Sequence, residues 1–316
     1  MRRLIINADD FGLTSGVNDA IVEAYSRGVV TSTTLMANGR AFADAVERSC
    51  RVPQLSVGCH VVLVDGEPVS RPEQVRSLLA PIGREALPFP PERDGAIRTV
   101  AATAGGVRRF YDGFGQIALL NLRGKIKSDQ VEQEVGAQIQ RLQQAGVNVT
   151  HVDAHKHTHM LPRVAEAIMR AATSCGVRAI RNPFVPIRPI IFAHVVRRPR
   201  LWIRYTEVTL LRRYHHAFLD RVRKHGMVAP DGSFGVISTG SLDLELFRAI
   251  IGCIPEGTWE FVCHPGYNDE DLSRVRTKLR DSRQKELSVL TSPEAKQVLA
   301  DHNIQLISYR ELAANG

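Results

Sequence analysis

Gly146-Val147-Asn148-Val149-Thr150-His151-Val152-Asp153-Ala154-His155-Lys156-His157-Thr158-His159 is the stretch from which the fold can be read. Its first half is apolar and β-branched, the pattern of a buried strand. Its second half holds four of the 11 histidines in a chain of 316 residues. Imidazole is the commonest metal ligand and the usual proton carrier near neutral pH. Several neighbouring imidazoles cannot all be protonated cheaply, so a shared cation is their simplest partner. The run therefore reads as a strand that ends in a site.

The flanking segments extend the pattern. A helix is predicted at Asp129–Gln144, closed by Gly146, and another at Leu161–Cys175, with Pro162 in its first turn. The alternation continues on both sides. Strands are predicted at Arg3–Asn7, Val29–Met36, Leu55–Gly58, Val147–Asp153, Val177–Arg181, Trp259–Cys263 and Ile304–Ser308. Further helices are predicted at Ser15–Gly28, Ala41–Cys50, Leu242–Ile254 and Ser292–His302. Strands alternating with helices imply a parallel sheet. At this length they favour an α/β fold of the TIM-like kind, a distorted (β/α) barrel of about seven strands in a single domain over 1–316. No G-x-G-x-x-G follows the first strand, which argues against a dinucleotide-binding sheet. Two stretches break the rhythm: a Gly-, Pro- and Arg-rich insertion at about 64–127 and a basic insertion at about 183–235.

Composition sets the class. Apolar residues make up 44% and charged residues 23%, as in an ordinary globular protein. No uncharged apolar run approaches the length of a spanning helix. Five scattered cysteines without a C-x-x-C pair read as reduced, buried thiols, and with no signal-peptide pattern they point to the cytoplasm. The net charge of +8 is local. Residues 187–225 hold ten basic and two acidic residues, and the remaining 31 basic and 31 acidic residues cancel.

Polar groups gather at the predicted C-terminal strand ends. Asp9 and Asp10 end the first strand, His60 the third, and Asp153 and His155 the strand of the opening stretch. Arg181 and His264 end later ones. Taken singly, the Asp pair could cap a helix, His60 could be a hydrogen-bonded core residue, and His264 before Pro-Gly could belong to a turn. In a barrel these ends share one face, where active sites sit. One Asp and two His suit a divalent ion with open positions for water and substrate. An adjacent Asp can take a proton from that water, and a separate His can give one to a leaving group. A non-haem iron oxygenase would use the same ligand types.

At these residues the chain resembles the YdjC-like deacetylases. The matching pieces are Asn7-Ala8-Asp9-Asp10-Phe11-Gly12, Gly28 to Thr34, Gly58-Cys59-His60, Thr150 to His157, Cys263-His264-Pro265, Glu286 to Ser292, and Ser308-Tyr309-Arg310. The resemblance implies a barrel related to the glycoside hydrolase and NodB-type polysaccharide deacetylase barrels. It implies removal of an N-acetyl group from an amino sugar. It assigns Asp10, His60 and His155 to one divalent metal ion, with Zn2+ favoured and Mg2+ the alternative. It makes Asp9 the general base and His264 the general acid. Asp153, His157, His159 and Arg181 would contact substrate or support the ligands. The chain is most similar to the hopanoid-biosynthesis branch (HpnK-like), which implies a lipid-linked N-acetylglucosamine. Soluble chitooligosaccharides are the alternative substrates, and a non-catalytic, metal-dependent sugar- or lipid-binding protein is the alternative role.

The basic segment 187–225 carries Phe192, Trp202, Tyr205, Tyr214 and Phe218 among its arginines. Basic and aromatic residues together suit the anionic inner face of a membrane. A solvated barrel wall or a homodimer contact would use the same composition. No nucleic-acid-binding motif accompanies the charge.

Overall fold

The computed structural model describes residues 1–81, 108–184, 212–236 and 238–315. Seven strands form one parallel sheet: β1 (Arg2–Phe11), β2 (Ser32–Leu35), β3 (Ser56–Val61), β4 (Val149–Ala154), β5 (Ser233–Phe234), β6 (Gly257–Cys263) and β7 (Ile304–Leu306). Their order is β4-β3-β2-β1-β6-β5, with β7 also paired to β1. Helices connect them: α1 (Ser15–Ser26), α2 (Phe42–Arg51), α3 (Gly113–Leu122), α4 (Ser128–Gln144), α5 (Pro162–Ser174), α6 (His215–Lys224), α7 (Leu244–Gly252), α8 (Glu270–Ser273), α9 (Asp281–Leu290), α10 (Pro293–Asp301) and α11 (Tyr309–Ala314). The sheet curls into a partial barrel with helices outside, as the alternation predicted.

β1 is the spine. It pairs with β6 through Arg2–Ala8, with β7 through Arg2–Leu4, and with β2 from Asn7 to Phe11. A strand covered on both faces is largely apolar, and from Leu4 to Phe11 every residue is buried, with Asn7, Asp9 and Asp10 the polar exceptions. Leu4, Ile6 and Ala8 face the main core, while Ile5 packs with Ala179, Ile307 and Tyr309 in a separate cluster. The alternation then carries Asn7 and Asp9 onto the same side as Ile5. Each buried aliphatic side chain contributes roughly 1.5–3 kcal/mol, so this spine anchors the fold.

The predicted strand Val177–Arg181 is shorter than its sequence suggested. It forms only bridges, Val152 with Ile180 and Ala179 with Val228. They still extend the curl past β4: Val152 N donates to Ala179 O at 3.0 Å, and Ile180 N donates to Val228 O at 2.9 Å. β1, by contrast, runs four residues beyond its predicted end, so the Asp pair lies within the strand. The described parts of 64–127 contain two short 3-10 turns and α3. Residues 82–107 and 185–211, which include Phe192, Trp202 and Tyr205, lie outside the described residues.

His151 belongs to the barrel interior. Its ring stacks on Tyr309 at 3.7 Å and 9°. Its Nδ1 is 2.9 Å from Thr150 Oγ1, and its Nε2 is 3.2 Å from Asn7 Oδ1. Gly58 makes room for it, since a Cβ there would lie 2.5 Å from the ring. Burial, reinforced by Arg181, pushes His151 well below its ordinary value, so it is a neutral packing group. Among the cysteines, Cys59 and Cys263 are buried, but Cys50 is exposed. Among the described residues no helix is long and apolar enough to cross a membrane.

Candidate metal centre

Successive side chains of a strand point to opposite faces, so Asp9 and Asp10 should not share a pocket. A backbone irregularity lets them. The β1–β2 register shifts between Ala8 and Phe11, and Asp10 sits at φ 71°. Left-handed backbone is unfavourable for a residue with a Cβ, and such outliers collect at sites where geometry is over-determined. A second kink stands opposite. Lys156 and His157, at φ 52° and 53°, turn the chain sharply after β4, and His155 lies at the start of that turn. Lys156 is tied down by an ion pair with Asp65.

These two kinks and β3 bring three donors together. Asp10 Oδ1 lies 3.4 Å from His60 Nε2 and 3.3 Å from His155 Nδ1, and the two nitrogens are 3.2 Å apart. Ligand atoms about 2.0–2.2 Å from a tetrahedral zinc are about 3.3–3.6 Å from one another, so the triangle fits one face of such a shell. Asp10 Oδ1 is buried yet has no aligned hydrogen bond among the described residues. A buried carboxylate oxygen without a partner is costly, and a cation in the triangle would satisfy it.

The surroundings orient the donors. Asp153 Oδ1 is 2.7 Å from His60 Nδ1. Assigning that nitrogen the proton leaves Nε2 free to ligate, the carboxylate–histidine pairing usual behind metal ligands. Thr34 Oγ1 donates to Asp153 Oδ2 at 3.2 Å. Arg181 is fully buried and meets three carboxylates: Asp9 at 2.6 Å, Asp153 at 2.5 Å and Glu260 at 2.9 Å. Arg283 meets Asp10 Oδ2 at 2.5 Å. Four buried carboxylates thus share two guanidinium groups, an excess of two negative charges that a divalent ion would neutralise.

These contacts set the protonation states. Burial pushes Asp10 up, but Arg283 and the two imidazoles override it and hold the carboxyl well below its ordinary range. Asp9 is likewise raised by burial and lowered further by Arg181, so it is ionised at neutral pH. Burial pulls His60 down, but Asp153, Asp10 and Asp9 raise it to about 10, and an ion at Nε2 would displace that proton. Burial drives His264 down to about 4, against the pull of Asp9 and Asp10. Its Nε2 lies 3.9 Å from Asp9 Oδ2.

The remaining predicted residues separate. Asp153 contacts His60 and Arg181 pairs with Asp9, both from within the barrel; neither is exposed. His159 is buried, with both ring nitrogens unpaired among the described residues, and His157 is half-buried with its ring centroid 6.0 Å away. Neither enters the triangle. Four participants were missed: Thr34, Glu260, Arg283 and Glu286. Glu260 left a signal, a lone acid inside the apolar run Trp259–Cys263, which demands a buried cation. Arg283 left none, because charges are ordinary on a polar helix, and Glu286 showed only as the first residue of the matching stretch Glu286–Ser292, with no role attached.

Glu286 is 2% exposed and accepts hydrogen bonds from His264 N at 2.6 Å and Gly240 N at 3.2 Å. Burial raises its carboxyl to about 7 despite those donors. The folded protein therefore holds a proton that the unfolded chain has released above pH 4.5. This contribution to stability is full below pH 4.5 and is lost as pH rises to about 7. Thermal melts should fall across that window, and Glu286→Gln should flatten the slope; an unchanged slope would assign it to other groups.

The YdjC-like protein family model matches residues 3–301. This chain belongs to the YdjC-like family. A carbohydrate deacetylase of Brevibacillus brevis is 31% identical to this YdjC-like protein over 312 residues, covering 98% of this chain and 99% of the relative. A carbohydrate deacetylase of Thermoanaerobacter pseudethanolicus is 27% identical over 309 residues, covering 98% of each. A crystal structure from Enterococcus faecalis V583, provisionally described as a cellobiose-phosphate cleavage protein, shares the fold with a TM-score of 0.73. It is 25% identical, and the match covers 99% of both chains.

Proposed function

We propose that this YdjC-like protein is a divalent-metal-dependent N-deacetylase acting on a lipid-linked N-acetylglucosamine, an N-acetylglucosaminyl hopanoid being its specific substrate. The observation that carries the chemistry is the triangle of Asp10 Oδ1, His60 Nε2 and His155 Nδ1 with its unsatisfied carboxylate oxygen. Two imidazoles favour zinc over magnesium, which prefers an all-oxygen shell. A bound divalent ion supplies Lewis acidity, polarising the acetamide carbonyl and making a water acidic enough to attack.

The protein's own groups do the rest. Asp9 takes the proton of the attacking water. Arg181 donates from Nη1 to Asp9 Oδ2 at 2.8 Å and from Nη2 to Oδ1 at 2.6 Å, and Asn7 Nδ2 donates to Oδ1 at 2.9 Å. That grip fixes the carboxylate and keeps it ionised. His264, neutral at pH 7 in the free protein, receives the water's proton from Asp9, 3.9 Å away, and gives it to the leaving nitrogen. The C–N bond breaks, and acetate and the amine leave.

Surface chemistry supports the lipid substrate. On α3, Leu119 and Leu122 are 47% and 81% exposed, and Arg123, Lys125 and Lys127 beside them are exposed. Apolar side chains next to basic ones suit an anionic lipid surface. The described part of the basic segment contributes less, because Phe218 is buried against Phe184 at a ring distance of 5.6 Å. The relatives' description as carbohydrate deacetylases supports a second reading, in which a soluble chitooligosaccharide is the substrate.

Acetate release is the test, against N-acetylglucosaminyl hopanoid, di-N-acetylchitobiose and free N-acetylglucosamine. Preference for the hopanoid supports the first reading and preference for chitobiose the second; no acetate from any of them overturns both. Asp10→Ala and His155→Ala should each weaken zinc binding more than about 100-fold, beyond the loss from removing an outer partner, and abolish turnover. Wild-type zinc binding in either would remove the triangle as the site.

A further inference from the structure

Helix α9 buries two ionisable side chains one turn apart. Arg283 and Glu286 are 1% and 2% exposed, while Asp281 and Lys285 on the same helix face solvent. Fully buried charges are rare unless something pairs them. Here the partners belong to the site. Arg283 Nη2 donates to Asp10 Oδ2 at 2.5 Å, which leaves Asp10 Oδ1 for the triangle. Glu286 Oε2 accepts from the backbone N–H of His264 at 2.6 Å. The same turn grips the segment after His264: Gly266 N donates to Arg283 O at 3.3 Å, and a Cβ at Gly266 would lie 2.9 Å from Arg283 Cδ.

We propose that Arg283 and Glu286 are positioning residues that hold the metal ligand Asp10 and the acid His264 in one rigid frame. Arg283 occupies one oxygen of Asp10, so only the other faces the cation. Glu286 fixes the backbone from which the His264 ring reaches the leaving nitrogen. The chemical consequence rests on the deacetylase reading above. If α9 were only a packing element, its variants would lower stability and every activity together.

The experiment uses the full-length, zinc-loaded protein and the variants Arg283→Met, Glu286→Gln, His264→Ala and the double variant Glu286→Gln/His264→Ala. Three quantities are measured: zinc affinity by competition with a chromogenic chelator, acetate release from an N-acetyl sugar, and hydrolysis of 4-nitrophenyl acetate. The nitrophenolate departs without needing a proton, so that substrate bypasses the acid.

Arg283→Met should weaken zinc binding about 10- to 100-fold. Glu286→Gln should bind zinc as wild type does and leave KM unchanged. It should lower kcat on the N-acetyl sugar about 10- to 100-fold, with at least a tenfold smaller loss on the aryl ester. On the His264→Ala background it should add no further loss. Equal losses on both substrates, additivity with His264→Ala, or wild-type zinc affinity in Arg283→Met would each overturn the proposal. If Arg283→Met does not fold, Arg283→Gln takes its place, and wild-type zinc affinity there overturns it equally. A wild-type protein that releases acetate from no N-acetyl sugar refutes the deacetylase reading instead; the zinc affinity of Arg283→Met then still decides this one.

Discussion

Asp9→Asn lowers kcat for acetate release by about 10²- to 10⁴-fold while zinc affinity stays close to wild type. The reason lies in how two overlapping donor groups are filled. Asp10, His60 and His155 form one, and Asp9, His60 and Asp153 form another. The second already has its cation, since Arg181 pairs with both Asp9 and Asp153. An added ion is therefore directed to the first group, and Asp9 remains a base rather than a ligand. Asparagine keeps the shape and one acceptor for the Arg181 fork but cannot take a proton. Turnover and zinc titration on the same preparation check the result. A near-normal rate would assign the base to another group, and a lost ion would make Asp9 a ligand.

Arg181→Met produces the largest loss of stability. It leaves Asp9, Asp153 and Glu260 facing one another without their shared guanidinium, all at most 3% exposed. Removing one partner of a buried ion pair costs about 3–5 kcal/mol, and here one removal strands three carboxylates. Thermal unfolding should therefore begin about 10 °C lower or more. Wild type and variant need comparison at the same free zinc, because a bound ion raises stability by mass action. Calorimetry that finds the variant within a degree or two of wild type would mean that the carboxylates take up protons at little cost, and that Arg181 is not what keeps them buried and charged.

The fold was legible where periodicity was strong. α4 and α5 start and end within one residue of the predicted bounds, because their apolar spacing and flanking glycine and proline leave little freedom. β1 was underestimated because its polar end is buried by partners distant in sequence. Val177–Arg181 was overestimated because a β-branched run cannot report how much of it finds a neighbour. Helices α3, α6, α8, α9 and α11 were given no bounds by the sequence. α3 and α6 lie in insertions without clear alternation, α8 and α11 are short, and α9 is mostly polar. In the site, the sequence exposed the three residues of the Asp10–His60–His155 triangle, because Asp and His at strand ends are conspicuous. The left-handed backbone at Asp10 was invisible, since nothing marks an aspartate that will adopt it. So was the burial of Arg283 and Glu286, which comes from where α9 docks.

The central place of β1 bears on how the protein is made. β1 pairs with strands from residues 257–263 and 304–306, which lie about 250 and 300 positions later in the chain. Until they arrive, an almost wholly buried apolar segment has lost one flank, and Asp10 waits for Arg283. Such long-range pairing is slow and leaves a sticky nascent chain. Holdase chaperones that shield β1 until residues 257–306 have been made should therefore raise the yield of active protein.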